Sequence, residues 1–441
     1  MLDGIIAVFL LLALLQNTAP VAAVAALLVC MARGSVGRLT RKVWIRKVEL
    51  AIAACLVYWL ANYFWSGGSL ENLLSRDFLR NDGALLITYP AFFCFLGWRQ
   101  TPTYSRALWI VILTALSLMA IAGSLLILNA PYSYYFEPLK LVGVEEMGGT
   151  QRLFYGWYHA HNTAGGAYAI GCLIALAMLM EGKESPRVRR YTWVMFLCCV
   201  AGLAATFSRS GYLAFVAGSL FLLPVRQFKK ALKFALLAVA PALLLVLTSS
   251  AVSERIGTIT DPYYGTNVDR LELWRWAWEG FTDSPLVGIG FGRFNDGLLQ
   301  FEGVKHFVYV AVRGETINND AHAHNSYLHF LAEGGILGLL SVLAIWWFSW
   351  KELSFFELNL PKSQFRVFLR AARASVPAVF TMSMTEHGLG RGSVVLIAMA
   401  LIGTTLASLR AEWLAASKSR VRAARLNAPL SPARVGIMTT R

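Results

Sequence analysis

"NNDAHAHNSYLHFLAEGGILGLLSVLAIWWFSW", residues 318–350, joins two signals in one stretch. Its second part, from Ser326 onward, is an apolar run long enough to cross a bilayer as a helix. Three histidines, His322, His324 and His329, fall within eight positions across the mouth of that run. Ionisable groups at a membrane boundary are costly and point to function. One segment therefore decides the fold and marks where to look for chemistry.

Working outward, similar runs recur at 4–16, 18–32, 48–64, 83–97, 107–128, 163–181, 191–207, 211–224, 232–248, 367–386 and 392–409, which with 326–349 make 12 predicted spans. Composition agrees: the 441 residues are 57% hydrophobic and 15% charged, with a mean hydropathy of +0.54. A soluble domain of this size needs far more polar surface. The expected fold class is an all-α polytopic membrane protein of about 12 transmembrane helices. Spans 1–9 fill residues 1–248, a large, partly helical external loop fills 249–325, spans 10–12 fill 326–410, and a basic tail fills 411–441. All six cysteines lie in apolar runs and read as small hydrophobes, with neither disulfide nor metal-ligand spacing. The first run follows only Met1 to Asp3, without a basic leader segment, so no cleaved signal peptide is expected.

With both termini placed in the cytoplasm, cytoplasmic segments hold 26 of the 40 Lys and Arg residues and the opposite side holds 12, Arg370 and Arg373 falling inside a span. That bias sets the orientation. The net charge of +15 is thereby explained by topology and anionic lipid, without nucleic acid. All seven histidines, together with Arg152, Arg209, Arg270, Arg275 and Arg293, fall at the external side. A pore or proton relay strings polar groups through the membrane depth; this pattern instead predicts chemistry at one surface.

The segment 249–325 is too long for an idle connector. Within it, Leu271, Trp274, Trp278 and Phe281 are spaced three, four and three apart, predicting an amphipathic helix lying on the bilayer or over a cavity. Gly288, Gly290 and Gly292 alternate after Pro285, which lets the backbone approach another group closely. A structural turn is the preferred reading over phosphate contact, since no βαβ context surrounds these glycines.

Three readings compete for the histidines. Two His-x-His pairs, His322/His324 and His159/His161, with His329, offer metal ligands, yet no HExxH or characteristic carboxylate spacing accompanies them. Alternatively, they are loop side chains satisfied by solvent, the blander account for His306 or His322 taken singly. The third reading is a general base. His324 precedes Asn325 and Ser326, either of which can cap a helix, and the positive end of a helix disfavours imidazolium. His324 then sits neutral and ready to accept a proton, with His329 a neighbour off that face.

"HNSYLHFLAEGGILG" (324–338) resembles the His-[Asn/Ser/Gln]-x9-Gly motif of bacterial O-antigen ligases, here His324, Asn325 and Gly335. The O-antigen ligase and polymerase superfamily is also resembled by "TFSRSG" with Arg209, "HNTAG" with Asn162, and "RLELWRWAWEGFTDSPLVGIGFGRF" in the large loop. The resemblance covers about 150–410. It implies a metal-independent, inverting GT-C-type glycosyltransferase without cofactors, in the bacterial inner membrane with a periplasmic site. It also implies undecaprenyl pyrophosphate-linked O-antigen as donor and lipid A–core oligosaccharide as acceptor.

Residue chemistry is compatible with that expectation. A glycosyl pyrophosphate carries its own good leaving group, so a base for the attacking hydroxyl and cations for the diphosphate suffice. His324 suits the first role. Arg209, Arg270, Arg293, Arg152 and Arg275, in that order, suit the second, because guanidinium binds phosphate bidentately. His161, Asn162, Asn325 and His329 are candidates to line the cavity, and no metal is expected. The superfamily's O-antigen polymerases are the nearest alternative. A lipid-linked oligosaccharide flippase, with a basic path through the membrane, finds only Arg370 and Arg373 in its favour.

Overall fold

The structure, a computed structural model, describes residues 47–75, 78–79, 82–127, 143–147, 151–156, 158, 160–181, 185–222, 265–295, 322–390 and 392–426. Its helices are α1 (Lys47–Trp65), α2 (Leu70–Leu73), α3 (Leu85–Gly97), α4 (Pro102–Ile127), α5 (His161–Glu181), α6 (Pro186–Ala205), α7 (Arg209–Phe221), α8 (Gly265–Asp283), α9 (Ser326–Asn359), α10 (Arg366–Met382) and α11 (Ser393–Leu426). Nine of the 12 predicted spans meet a described helix; those at 4–16, 18–32 and 232–248 lie outside the described residues. Six of the helices (α1, α4, α5, α6, α9 and α11) are long and apolar enough to cross a membrane, as a polytopic membrane protein requires.

Helix is not the whole of it. An antiparallel hairpin, β1 (Gly143–Met147) and β2 (Gln151–Gly156), stands between α4 and α5, with Arg152 opposite Glu146. The bundle itself is helical as expected, and the hairpin is an addition to it: Gly148-Gly149 between the two runs is a hairpin signal in the sequence.

Helices α5 and α11 form the middle of the bundle and are buried along nearly all of their apolar length. Small residues let α5 be so enclosed. A Cβ added to Gly211 of α7 would stand 2.8 Å from the backbone carbon of Gly165, so these two helices touch backbone to backbone. Charge sits at the two ends of the bundle. Helix α5 begins at His161 and ends at Glu181, a rise of about 30 Å for its 21 residues, close to the hydrocarbon thickness. At the Glu181 end, Arg370 bonds Glu181 at 2.7 Å, Arg373 pairs with Glu357, and buried Arg410 is held between Glu49 and Glu352. Both arginines inside the predicted 367–386 span are thus neutralised at one end of α10.

The best-defined feature is a break in α9. Gly335 takes φ 58° and ψ −164°, a backbone conformation foreign to a helix and open essentially to glycine alone. The chain 285–290, which follows α8, fills the gap. Ile289 and Gly290 donate N–H bonds to the carbonyls of Ala332 and Glu333, at 2.8 and 3.0 Å. Ile336 and Leu337 donate to the carbonyls of Pro285 and Leu286, at 2.9 and 3.3 Å. The Tyr58 hydroxyl donates to the carbonyl of Gly334. Asn62 of α1 clamps the inserted chain, donating to Val287 O (2.7 Å) and accepting from Phe291 N (2.6 Å). Three carbonyls and two amides beside the break thus find partners, as an apolar environment demands.

The alternating glycines therefore have a structural role. Gly288, Gly290 and Gly292 all have positive φ, and a Cβ on Gly288 would come within 2.4 Å of the Glu333 backbone. Helix α8 packs on the rest of the protein through a different stripe from its expected bilayer- or cavity-facing one. Its buried stripe is Leu273, Ala277 and Gly280, whereas Leu271 and Trp278 are about half exposed.

Two substitutions separate these effects. Gly335→Ala places a Cβ 2.3 Å from the backbone of Leu286 at a positive φ; it should lower stability by about 3 kcal/mol or more, read as a fall in melting temperature in detergent. Gly280→Ala, inside α8 with its nearest neighbour at 3.3 Å, should be neutral or slightly stabilising through helix propensity.

Candidate functional site

The segment before α9 arrives in an unusual conformation. His324 has φ 47°, left-handed backbone that non-glycine residues rarely adopt. Asn325 then caps the helix, its side-chain oxygen accepting from the N–H groups of Tyr327 (3.0 Å) and Leu328 (3.2 Å). Of the two capping candidates, Asn325 is the cap and Ser326 opens the helix. Ser326 is spoken for elsewhere: its N–H bonds Ser383 O at 2.9 Å, its hydroxyl donates to Glu386 O at 3.0 Å, and Leu389 N donates to that hydroxyl at 3.1 Å. Helix α8 holds the histidine segment from the other side, since Trp274 Nε1 donates to Ala323 O at 2.8 Å.

These restraints aim His324 at Glu386, in the turn between α10 and α11. His324 Nδ1 stands 3.5 Å from Glu386 Oε2. The other carboxylate oxygen, Oε1, accepts from Asn162 Nδ2 at 2.6 Å and from Arg270 Nη2 at 3.2 Å. Asn162 is itself oriented by Ser208, whose hydroxyl donates to Asn162 Oδ1 at 2.9 Å. Ser208 has one proton, so in its 3.0 Å contact with Ser210 the latter donates. A directed chain therefore runs from α7 through α5 to Glu386, where α8 and the start of α9 also converge.

Burial pushes the Glu386 carboxyl upward, but hydrogen bonding to His324 and the charges of His324, Arg270 and His161 outweigh it. The net shift is below the usual carboxylate range, and Glu386 is held as an anion. An anion facing Nδ1 favours the tautomer with its proton there, leaving Nε2 with a free lone pair.

A second group lies behind this one. The rings of His322 and His324 are 4.2 Å apart, and His387 lies 5.7 Å from His322 and 4.2 Å from His329. His329 is buried, its Nε2 3.5 Å from Glu333 Oε2, and Glu333 Oε1 accepts from Phe294 N at 3.1 Å. His329 thus belongs to the packing that joins α9 to the inserted chain. Within the described residues, the donor set able to hold a metal is His322, His324 and Glu386, with ligand atoms within 4.8 Å of one another. It uses one predicted His-x-His pair; His159 lies outside the described residues.

The arginines divide. Arg270 reaches Glu386 directly. Arg209 opens α7 directly after the cap Ser208, beside the hydrogen-bond chain. Arg293 donates to Ser66 O at 3.0 Å, tying its loop to the end of α1. Arg275 pairs with Glu279 on the exposed face of α8. Arg152 lies in β2, and His306 is outside the described residues. Sequence reasoning missed Glu386 because residues 367–386 read as one apolar span; its adjacency to His387 at the end of that span was the available signal. Ser208 was likewise passed over beside Arg209.

Comparison with known proteins bears on residues 194–343, which match the family model described as O-antigen ligase. Over those residues, about a third of the chain, it is similar to the O-antigen ligase family. That similarity supports a place in the O-antigen ligase and polymerase superfamily and points to a glycosyltransferase-like enzyme. The O-antigen ligase match takes in Arg209, Arg270, His324 and the break at Gly335, while Asn162 and Glu386 lie outside it. No curated protein matches the chain. A solved structure titled "Structural coordination of polymerization and crosslinking by a peptidoglycan synthase complex" is similar at 18% identity and a TM-score of 0.43, covering 82% of this chain and 96% of that one.

The carboxylate hub is testable by coupling. Glu386→Leu and Asn162→Leu should each cost about 1–3 kcal/mol by stranding buried donors or acceptors. Because they share one bond, the double variant should lose clearly less than the sum of the two. Strict additivity of the melting shifts would refute the shared bond.

Proposed function

We propose that this protein transfers O-antigen polysaccharide from undecaprenyl pyrophosphate to a sugar hydroxyl of lipid A–core oligosaccharide. The reaction takes place at the periplasmic face of the bacterial inner membrane, with both termini cytoplasmic. The observation that carries the reading is the His324–Glu386 pair beside Arg270, in a chain similar over residues 194–343 to the O-antigen ligase family.

His324 Nε2 accepts the proton of the acceptor hydroxyl as its oxygen attacks the anomeric carbon. The bond from that carbon to the pyrophosphate oxygen breaks on the opposite face, so configuration inverts and undecaprenyl pyrophosphate departs. Glu386 is the positioning residue: it keeps the proton on Nδ1 and faces the imidazolium that forms, much as a buried aspartate serves a catalytic histidine in hydrolases. Arg270 spends one donor on Glu386; a guanidinium has five, and the remainder bind the diphosphate together with Arg209. Arg293, Arg152 and Arg275 are lesser candidates for the same anion, Arg275 least so because it is turned outward. No step calls for a cofactor.

Polymerase chemistry would use the same base and the same donor and differ in the acceptor. The deciding experiment is reconstitution of purified protein with lipid-linked donor and either lipid A–core or a second lipid-linked repeat. Ligated core lipid is expected; extension of the repeat alone would make the protein a polymerase. Product should persist in excess EDTA. His324→Ala should reduce kcat by 10²-fold or more, the usual worth of a positioned base, while His322→Ala keeps most activity. Glu386→Gln should lower kcat at least tenfold with little change in KM. Arg270→Lys should weaken donor use despite its retained charge.

A further inference from the structure

The separation of His324 Nδ1 from Glu386 Oε2, 3.5 Å, is long for a charge-assisted hydrogen bond, which favours about 2.7–2.9 Å. It is close to the spacing of neighbouring ligands on a tetrahedral zinc ion, about 3.3 Å for bonds of ~2.0–2.1 Å. Glu386 Oε2 therefore holds His324 Nδ1 only loosely, while its charge still acts on the ring. His322 completes a set of three ligand atoms within 4.8 Å of one another, and its ring already lies 4.2 Å from that of His324. Glu386 is divided in a way that suits this. Its Oε1 is taken by Asn162 and Arg270, while Oε2 faces the histidines.

We propose that His322, His324 and Glu386 form an inhibitory site for a zinc-class divalent cation, the metal switching off the general base instead of serving it. The inhibitory part rests on the function proposed above; the binding part does not. Two imidazoles and a carboxylate are the ligand types zinc prefers, with water completing the tetrahedron. Coordination uses the Nδ1 lone pair of His324, so the ring's single proton must reside on Nε2. The atom that would accept the hydroxyl proton becomes an N–H, and the oxygen that held the opposite tautomer is occupied. Neither group changes net protonation; the base is lost by tautomer alone. Arg270, 3.2 Å from Oε1, repels a cation, so the site is weaker than a closed four-ligand structural centre. Zinc binds here reversibly and is not required for folding.

The test separates binding from catalysis. Purified full-length protein, stripped with chelator, is titrated with Co²⁺ alone and followed by visible absorption. Wild-type protein should develop a tetrahedral d–d band at about one equivalent that Zn²⁺ displaces. His322→Ala and, separately, His322→Gln should lose that band while keeping the wild-type melting temperature. In turnover assays zinc should inhibit the wild type, and either His322 variant should need at least tenfold more zinc for the same inhibition, with near wild-type activity in chelator. Equal inhibition of wild type and variants would place zinc on the diphosphate donor or elsewhere and overturn the proposal. So would a cobalt band that survives both substitutions. If the protein makes no glycosyl transfer product at all, the cobalt titration still decides whether the site exists.

Discussion

Everything at the histidine end of this bundle depends on one repaired break. An apolar helix cannot leave backbone groups unanswered in an environment without water, and α9 does break, at Gly335. The inserted chain 285–290 supplies partners for two carbonyls and two amides, Tyr58 supplies another, and Asn62 holds the insert in place. Because the insert follows α8 directly, the repair fixes where α8 lies, and α8 carries Arg270 and Trp274 to the histidine segment. The first stretch of α9, from Ser326 to the break, becomes a short, separately anchored helix whose start is pinned by Asn325 and Ser326.

Much of the architecture was legible from composition and period alone. Nine apolar runs became helices near the expected places, because a 20-residue apolar stretch has few other ways to satisfy its backbone. The position of His324 immediately before a helix start was legible for the same reason, since the capping residue and the apolar run are neighbours in sequence. What stayed hidden depends on partners far apart in the chain. Glu386 is 62 residues beyond His324 and 224 beyond Asn162, and no local pattern announces such a meeting. Asn62 looked like an ordinary polar interruption in a span. The hairpin was missed although its paired glycines were visible, because the surrounding run is short and weakly alternating.

The arginines show the limit of ranking by residue type. All five share a chemistry suited to phosphate, yet their described partners differ: Glu386 for Arg270, a backbone carbonyl for Arg293, and a surface glutamate for Arg275. Charge at the opposite end of the bundle follows another rule. Arg370, Arg373 and Arg410 each meet carboxylates across helices, a pattern that joins elements instead of offering an anion a site. A basic path through the membrane, which a flippase reading needs, is not supported by arginines so paired.

Glu386 is also where stability and chemistry become hard to vary separately. One oxygen ties two helices to this turn through Asn162 and Arg270; the other faces the histidine. Drift at this position would loosen the bundle before it altered specificity, so changes in substrate preference have to be written in surrounding side chains. A relative with a different substrate preference is expected to keep an acceptor of this kind here.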